Sequence, residues 1–179
     1  MEFQHDLKIP RERLPVLIGT KGEVKKDLED LSGATIDIDS KEGDVKIKGS
    51  DSLKIYMLRD VITAIGRGFN PEIARYLIKQ DYVLEIIPLL DYVKNKSHFD
   101  RVKGRVIGAK GKSRETIEKL TATNISVYGK TISIIGFAEH VVIAKKAVES
   151  LLIGSPHANV YKFLEKSRVK TRQKEMLDW

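Results

Sequence analysis

The chain has 179 residues, 41% hydrophobic and 32% charged, with four histidines and no cysteine, which excludes disulfides and cysteine-ligated zinc and favours an intracellular, cytoplasmic setting. No apolar run approaches the roughly 18 residues needed to cross a bilayer, and Met1 to Asp6 lack the basic and apolar regions of a signal peptide, so no membrane partner is expected. The net charge of +7 lies entirely in the second half: residues 1–80 carry 14 basic and 14 acidic side chains, and residues 81–179 carry 18 and 11, which points to a polyanionic ligand for the second half.

In chain order, residues 3–9 read as a strand and residues 11–17 as a short helix running into Gly19-Thr-Lys-Gly22. A second helix follows with Val24, Leu28 and Leu31 on one face, and Gly33 ends it. Residues 35–39 and 44–48 form a hairpin about Ser40-Lys-Glu-Gly43. Ser50 or Asp51 then caps a long helix that turns Leu53, Tyr56, Met57, Val61, Ala64 and Ile65 inward. Asn70-Pro71 opens a linking helix to about Lys79. The order then repeats: strand 82–88, a longer connection 89–98, a short helix within 99–107, a helix 113–121, strands 125–128 and 131–135 about Gly129-Lys130, and a long helix 138–152. After Gly154-Ser155-Pro156 a last helix runs to about Ser167 with Val160, Phe163 and Leu164 inward, followed by a basic tail read as disordered. No Gly/Ser-rich spacer separates the two halves, so they are expected to pack together.

This order reflects a duplication. Val16-Leu-Ile-Gly-Thr-Lys-Gly22 aligns with Arg105-Val-Ile-Gly-Ala-Lys-Gly111 at an offset of 89 residues, and Leu28, Leu31 and Ile36 meet Ile117, Leu120 and Ile125 in the same register. Val45-Lys-Ile-Lys-Gly49 matches Ile132-Ser-Ile-Ile-Gly136 at offset 87, because the first hairpin turn is two residues longer. Matched glycines and apolar positions over this span define two copies of one α+β unit, β-α-α-β-β-α.

The chemistry concentrates in the two glycine loops. A Gly-x-x-Gly loop lets another backbone approach closely, and it opens a helix whose free N–H groups and dipole attract an anion. Lys110, Lys112 and Arg114 add positive charge, and Ile107 and Ile125 supply an apolar floor for bases. A phosphate backbone over the loop with unstacked bases alongside is the arrangement of the KH module, and its groove is too narrow for a duplex. One such loop alone is usually only a turn. Two in matched context are a stronger signal.

At these residues the chain resembles the KH family of the eukaryotic, type I topology, in which a three-stranded antiparallel sheet is packed by three helices in each module. It is similar in particular to the archaeal and eukaryotic KH proteins of small-ribosomal-subunit maturation, the partner-of-Nob type. Ala64-Ile-Gly-Arg-Gly-Phe-Asn-Pro-Glu-Ile-Ala-Arg75, Lys103-Gly-Arg-Val-Ile-Gly-Ala-Lys-Gly-Lys-Ser-Arg-Glu-Thr-Ile117 and Leu152-Ile-Gly-Ser-Pro-His-Ala-Asn-Val-Tyr161 carry this closer likeness. The resemblance implies a first KH module over 1–69, a helical linker over 70–81, a second module over 82–155, and a C-terminal helix and basic tail over 156–179. It implies binding of single-stranded RNA near the 3′ end of small-subunit rRNA, in company with the endonuclease that matures that end or a translation initiation factor.

The RNA-binding residues expected from loop and charge are Lys103, Arg105, Ile107, Gly108, Ala109, Lys110, Gly111, Lys112 and Arg114 in the second module. Their first-module counterparts are Ile18, Gly19, Thr20, Lys21 and Gly22. Glu23, Asp27, Glu29 and Asp30 follow the first loop, so the second is expected to supply most RNA affinity. Two other readings stay open: a protein-binding scaffold in translation or ribosome assembly with secondary RNA binding, and a general mRNA-binding KH protein.

An enzyme is not expected, nor a cofactor. Gly111-Lys112-Ser113 resembles the end of a P-loop, but the glycine required five residues before Gly111 is Val106. His5, His98, His140 and His157 are scattered without a metal-ligand spacing.

Overall fold

The computed structural model describes residues 1–177, which divide into two compact units, Met1–Leu84 and the chain from Glu85 onward. In the first, strand β1 (Phe3–Lys8) leads through a 3-10 turn (Arg11–Arg13) to α1 (Leu14–Ile18), the glycine loop and α2 (Glu23–Ser32). Strands β2 (Thr35–Asp39) and β3 (Asp44–Gly49) precede α3 (Ser52–Gly66), and α4 (Pro71–Ala74) continues as a 3-10 turn, Arg75–Ile78. The plan then repeats with β4 (Tyr82–Pro88), which crosses from the first unit into the second, followed by α5 (Lys96–Ile107), α6 (Lys112–Thr121), β5 (Asn124–Tyr128), β6 (Thr131–Phe137), α7 (Ala138–Leu152) and α8 (His157–Leu177). Each sheet has three strands with the last strand of the module in the centre, in the orders β1-β3-β2 and β4-β6-β5. The fold is thus α+β, two modules of one topology.

Local chemistry accounts for the boundaries. The Asp51 carboxylate accepts hydrogen bonds from Leu53 N at 3.0 Å and Lys54 N at 3.2 Å, starting α3, and Asn70 Oδ1 accepts from Glu72 N at 2.9 Å, starting α4. In the first hairpin Asp39 pairs with Asp44, leaving a four-residue turn; in the second Tyr128 pairs with Thr131, leaving two. That is the two-residue difference between the repeats. The left-handed position closing α2 is held by Gly33 at φ 68°, and the same position after α6 by Ala122 at φ 53°.

The cores lie between sheet and helices. Leu17, Leu28, Ile36, Ile47, Ile62 and Ile65 are fully buried in the first unit, and Val106, Ile117, Ile132, Ile134, Ala147 and Leu151 in the second. Four inward assignments are corrected. Leu31, Leu53 and Tyr56 are exposed, and the buried face of α3 is Ile55, Leu58, Ile62 and Ile65, with Val61 and Ala64 beside them. The apolar stripe of α3 is wide enough that its sequence admits more than one phase. In α8, Val160 and Leu164 are buried as expected while Phe163 is 38% exposed. The stretch expected to be a disordered tail continues α8 to Leu177; the last two residues lie outside the described residues.

Candidate RNA-binding site

The two glycine loops have nearly the same backbone. Gly19 and Gly108 sit at φ/ψ of 75°/175° and 73°/176°, a region essentially confined to glycine. A Cβ on Gly19 would lie 2.5 Å from Val24 Cγ2, and one on Gly108 2.7 Å from Ser113 Cβ. The first glycine of each loop is therefore required by the protein itself. The second is different. Gly22 and Gly111 are left-handed at φ 78° and 74°, yet a Cβ on Gly22 would meet nothing within 4 Å, and one on Gly111 only Arg114 Nη2 at 4.0 Å. The space over these residues is open for another backbone.

Between the glycines, Lys21 and Lys110 are also left-handed, at φ 54° and 55°. Holding a lysine there costs about 1 kcal/mol, so each loop keeps a strained residue at its tip. Gly22 N donates to Gly19 O, and Gly111 N to Gly108 O, both at 3.2 Å, closing each loop. No side chain caps the start of α2 or α6, so the positive end of each helix dipole faces the loop uncovered.

Of the expected contacts, Ala109, Lys110 and Lys112 are exposed, and Gly108, Gly111 and Arg114 half-buried at the start of α6. Lys103 and Ile107, four residues apart, share one face of α5, both half-buried. In the first module Thr20 and Lys21 are exposed and Ile18, Gly19 and Gly22 half-buried. Two assignments change. Ile125 is only 4% exposed and belongs to the core, so Ile107 is left as the apolar side chain beside the loop. Arg105 is drawn away from the loop: its Nε donates to Leu151 O at 2.9 Å and its Nη2 to Ser155 O at 2.6 Å. Two residues on from Lys103 along a helix, it faces the opposite side and clamps the end of α7. His157 Nε2 bonds the Arg105 carbonyl at 2.8 Å.

Two structural features are not evident from the sequence. Arg13 performs the same clamp in the first module, donating to Ile65 O at 2.8 Å and Phe69 O at 2.9 Å. The two arginines do not align in the repeat, so only the carbonyls they bind reveal the equivalence. The second is a carboxylate lock. Glu29 Oε1 accepts from Ile36 N at 2.8 Å, and Glu118 Oε1 from Ile125 N at 2.9 Å, tying the helix after each loop to the next strand. Lys25 stands 3.4 Å from Glu29, and Arg114 Nε 3.9 Å from Glu118. A signal for the lock exists, since Glu29 and Glu118 align at the repeat offset, but by charge alone Glu29 is only one more acid beside the first loop.

With Glu29 occupied in this way, the contrast between the loops rests on exposed positions of the following helix. Glu23, Asp27 and Asp30 of α2 align with Lys112, Thr116 and Lys119 of α6. The surface beside the first loop is acidic and the surface beside the second basic. Among the described residues there is no group of three or more His, Asp or Glu side chains able to hold a metal ion, and no helix long and apolar enough to cross a membrane.

Two α+β modules, each with a glycine loop opening a helix between two helices and a three-stranded sheet, define a tandem KH protein of the type I topology. The profile of the eukaryotic-type KH domain (type I) that describes the second module of PNO1 matches residues 83–169, and the general KH domain profile matches residues 4–64. A KH domain-containing protein of Methanocaldococcus jannaschii is 50% identical over 177 residues, 97% of this chain and 78% of that protein. The pre-rRNA-processing protein PNO1 of Debaryomyces hansenii is 34% identical over 130 residues, which covers 72% of this chain but only 47% of the yeast protein. Among solved structures, a chain from the complex of a/eIF2alpha, aDim2p and rRNA of Pyrococcus horikoshii superposes with a TM-score of 0.90 at 43% identity, covering 94% of this chain and 96% of that one. The chain belongs to the KH family, in the branch of the PNO1 and Dim2 pre-rRNA-processing proteins.

Proposed function

We propose that this chain binds single-stranded RNA at the 3′ region of small-subunit rRNA and serves there as a cytoplasmic assembly and processing factor, a binding protein and not an enzyme. The observation that carries the reading is the Gly108–Gly111 loop: an open second glycine, an exposed Lys110 and an uncapped helix start, with Lys112 and Arg114 beside it. A phosphate backbone crossing Gly111 meets the helix dipole and these three cations together, and Ile107 with Lys103 extends the surface along α5. The first loop has the same backbone with Ile18, Thr20 and Lys21, but acidic residues follow it. It takes the weaker share of RNA or none. The crystallised Pyrococcus complex, which holds aDim2p with rRNA and a/eIF2alpha, supports extending rRNA and a translation initiation factor to this chain as partners; the rRNA-maturing endonuclease is the further partner that the resemblance implies. Crosslinking in cells followed by sequencing of the bound RNA tests the reading. Recovery concentrated at the 3′ region of small-subunit rRNA is expected; recovery scattered over mRNAs would overturn it.

A further inference from the structure

The first module carries an apolar groove of about 230 Å³ between α2, α3 and the turn ending at Ile78, lined chiefly by Leu28, Leu31, Leu53, Met57, Leu58 and Ile78. Leu31 is 49% exposed and Leu53 67%. Solvated leucines gathered along one groove are unusual on a small module unless something covers them.

The duplication identifies the kind of occupant. Helices α3 and α7 have equal length and align at an offset of 86 residues, and the arginine clamps agree with that alignment: Ile65 and Phe69 bind Arg13 as Leu151 and Ser155 bind Arg105. The segment after α3 is then the counterpart of the start of α8, with buried Ala74 matching Val160 and Ile78 matching Leu164. Beyond that point the modules part. In the first the chain leaves the helical path at Ile78 to enter β4; in the second α8 runs on to Leu177. Leu31, Ser32, Lys54 and Met57 of the open groove correspond to Leu120, Thr121, His140 and Ile143, and in the second module α8 packs on α6 and α7 so that Ser167, Thr171 and their neighbours form the facing wall of a cavity of about 180 Å³ that those four residues line. The second module thus sets its own helix against the groove that the first leaves bare.

We propose that this groove docks an amphipathic helix of a partner protein, lying where the continuation of α8 lies in the second module. The rim specifies its charge. Asp27 and Asp30 are exposed on α2 within one turn of Leu31, and Asp51 and Lys54 line the groove together at the start of α3. Position 30 is acidic where its counterpart, Lys119, is basic. The matching helix presents apolar side chains at i, i+4 and i+7 to the groove and lysine or arginine at its flanks.

The probe is a synthetic helical peptide of about sixteen residues with leucines at that spacing and flanking lysines. Two controls replace its leucines by serine or its lysines by glutamate. Titrated into the full-length protein and followed by NMR, it is expected to give saturable shifts at Leu28, Leu31, Leu53, Met57 and Ile78. Leu31→Glu and, independently, Leu53→Glu are expected to weaken it at least about tenfold, and the double charge reversal Asp27→Lys, Asp30→Lys to favour the glutamate control. All these side chains are exposed, so the variants retain the fold, and the RNA affinity of Leu31→Glu and Leu53→Glu is expected to be unchanged. Absence of binding, shifts elsewhere, equal affinity for the serine control, or self-association of the protein abolished by Leu31→Glu, which assigns the groove to a second copy, would each overturn the proposal.

Discussion

The asymmetry between the loops can be measured with two matched variants, Ala109→Asp with Lys110→Asp, and Thr20→Asp with Lys21→Asp. Each pair changes the loop by three units of negative charge, and all four side chains are exposed. The fold is expected to persist, because aspartate tolerates the left-handed conformation that Lys21 and Lys110 adopt at φ 54° and 55°. Two unit charges about 6 Å apart in water interact by about 0.7 kcal/mol, so the change amounts to about 2 kcal/mol against one phosphate, roughly halved by physiological salt. A loop that holds two phosphates therefore loses about 2 kcal/mol, roughly thirtyfold in affinity. The log–log salt slope also falls by about 0.7 for each phosphate the loop no longer holds. That outcome is expected for the second loop, and a less than about threefold effect for the first, which is charged already by Glu23, Asp27 and Asp30. Fluorescence anisotropy with a single-stranded fragment of the rRNA 3′ region, over a salt series, reads both quantities. Equal losses in the two variants, or a larger loss in the first, would refute the assignment of the second module as the principal clamp.

Gly108→Ala forces a Cβ to within 2.7 Å of Ser113 Cβ in a glycine-only conformation, whereas Gly111→Ala meets open space; thermal unfolding is expected to show the first losing at least about 2 kcal/mol and the second only about 1. Ala122→Gly relieves a left-handed alanine at φ 53° on an exposed helix end, and it is expected to raise stability by about 1 kcal/mol, a shift of several degrees in Tm. Arg105→Met removes two guanidinium hydrogen bonds to Leu151 O and Ser155 O; urea unfolding should report about 2 to 3 kcal/mol lost, unrescued by lysine, while the salt slope of RNA binding stays unchanged. The hydrogen bond from Lys145 Nζ to Glu85 Oε1 at 2.6 Å raises the lysine above its ordinary 10.5. Its stabilisation is fully present below that value and is lost as pH rises through the folded-state pKa, so the deficit of Glu85→Gln seen at pH 7 is expected to close only in the alkaline limb of a stability–pH profile.

Much of the fold was legible because the sequence is read twice. Turn residues that are ambiguous once, such as Gly33 or Ser40 to Gly43, become assignable when a second copy puts Ala122 and Gly129-Lys130 in register with them. Strand β4 and helix α7 were found to the residue. The phase of α3 was not, because Leu53, Tyr56 and Met57 are as apolar as the residues that are buried, and only packing against the sheet chooses Ile55 and Leu58. At the site, the glycines and exposed lysines were legible from spacing and composition. Arg105 was misplaced because charge near a loop says nothing about direction. Its side chain finds the unpaired carbonyls at the end of α7, forty-six residues away in sequence, and no local pattern announces such a contact.

The carboxylate lock has a mechanical consequence. Glu118 fastens the helix that carries the glycine loop to the first residues of β5, and Glu29 does the same in the first module. Helix and strand are thereby joined at one end before any ligand arrives. A ligand bound beside the loop need not order that helix against the strand, and more of the contact energy remains available as affinity.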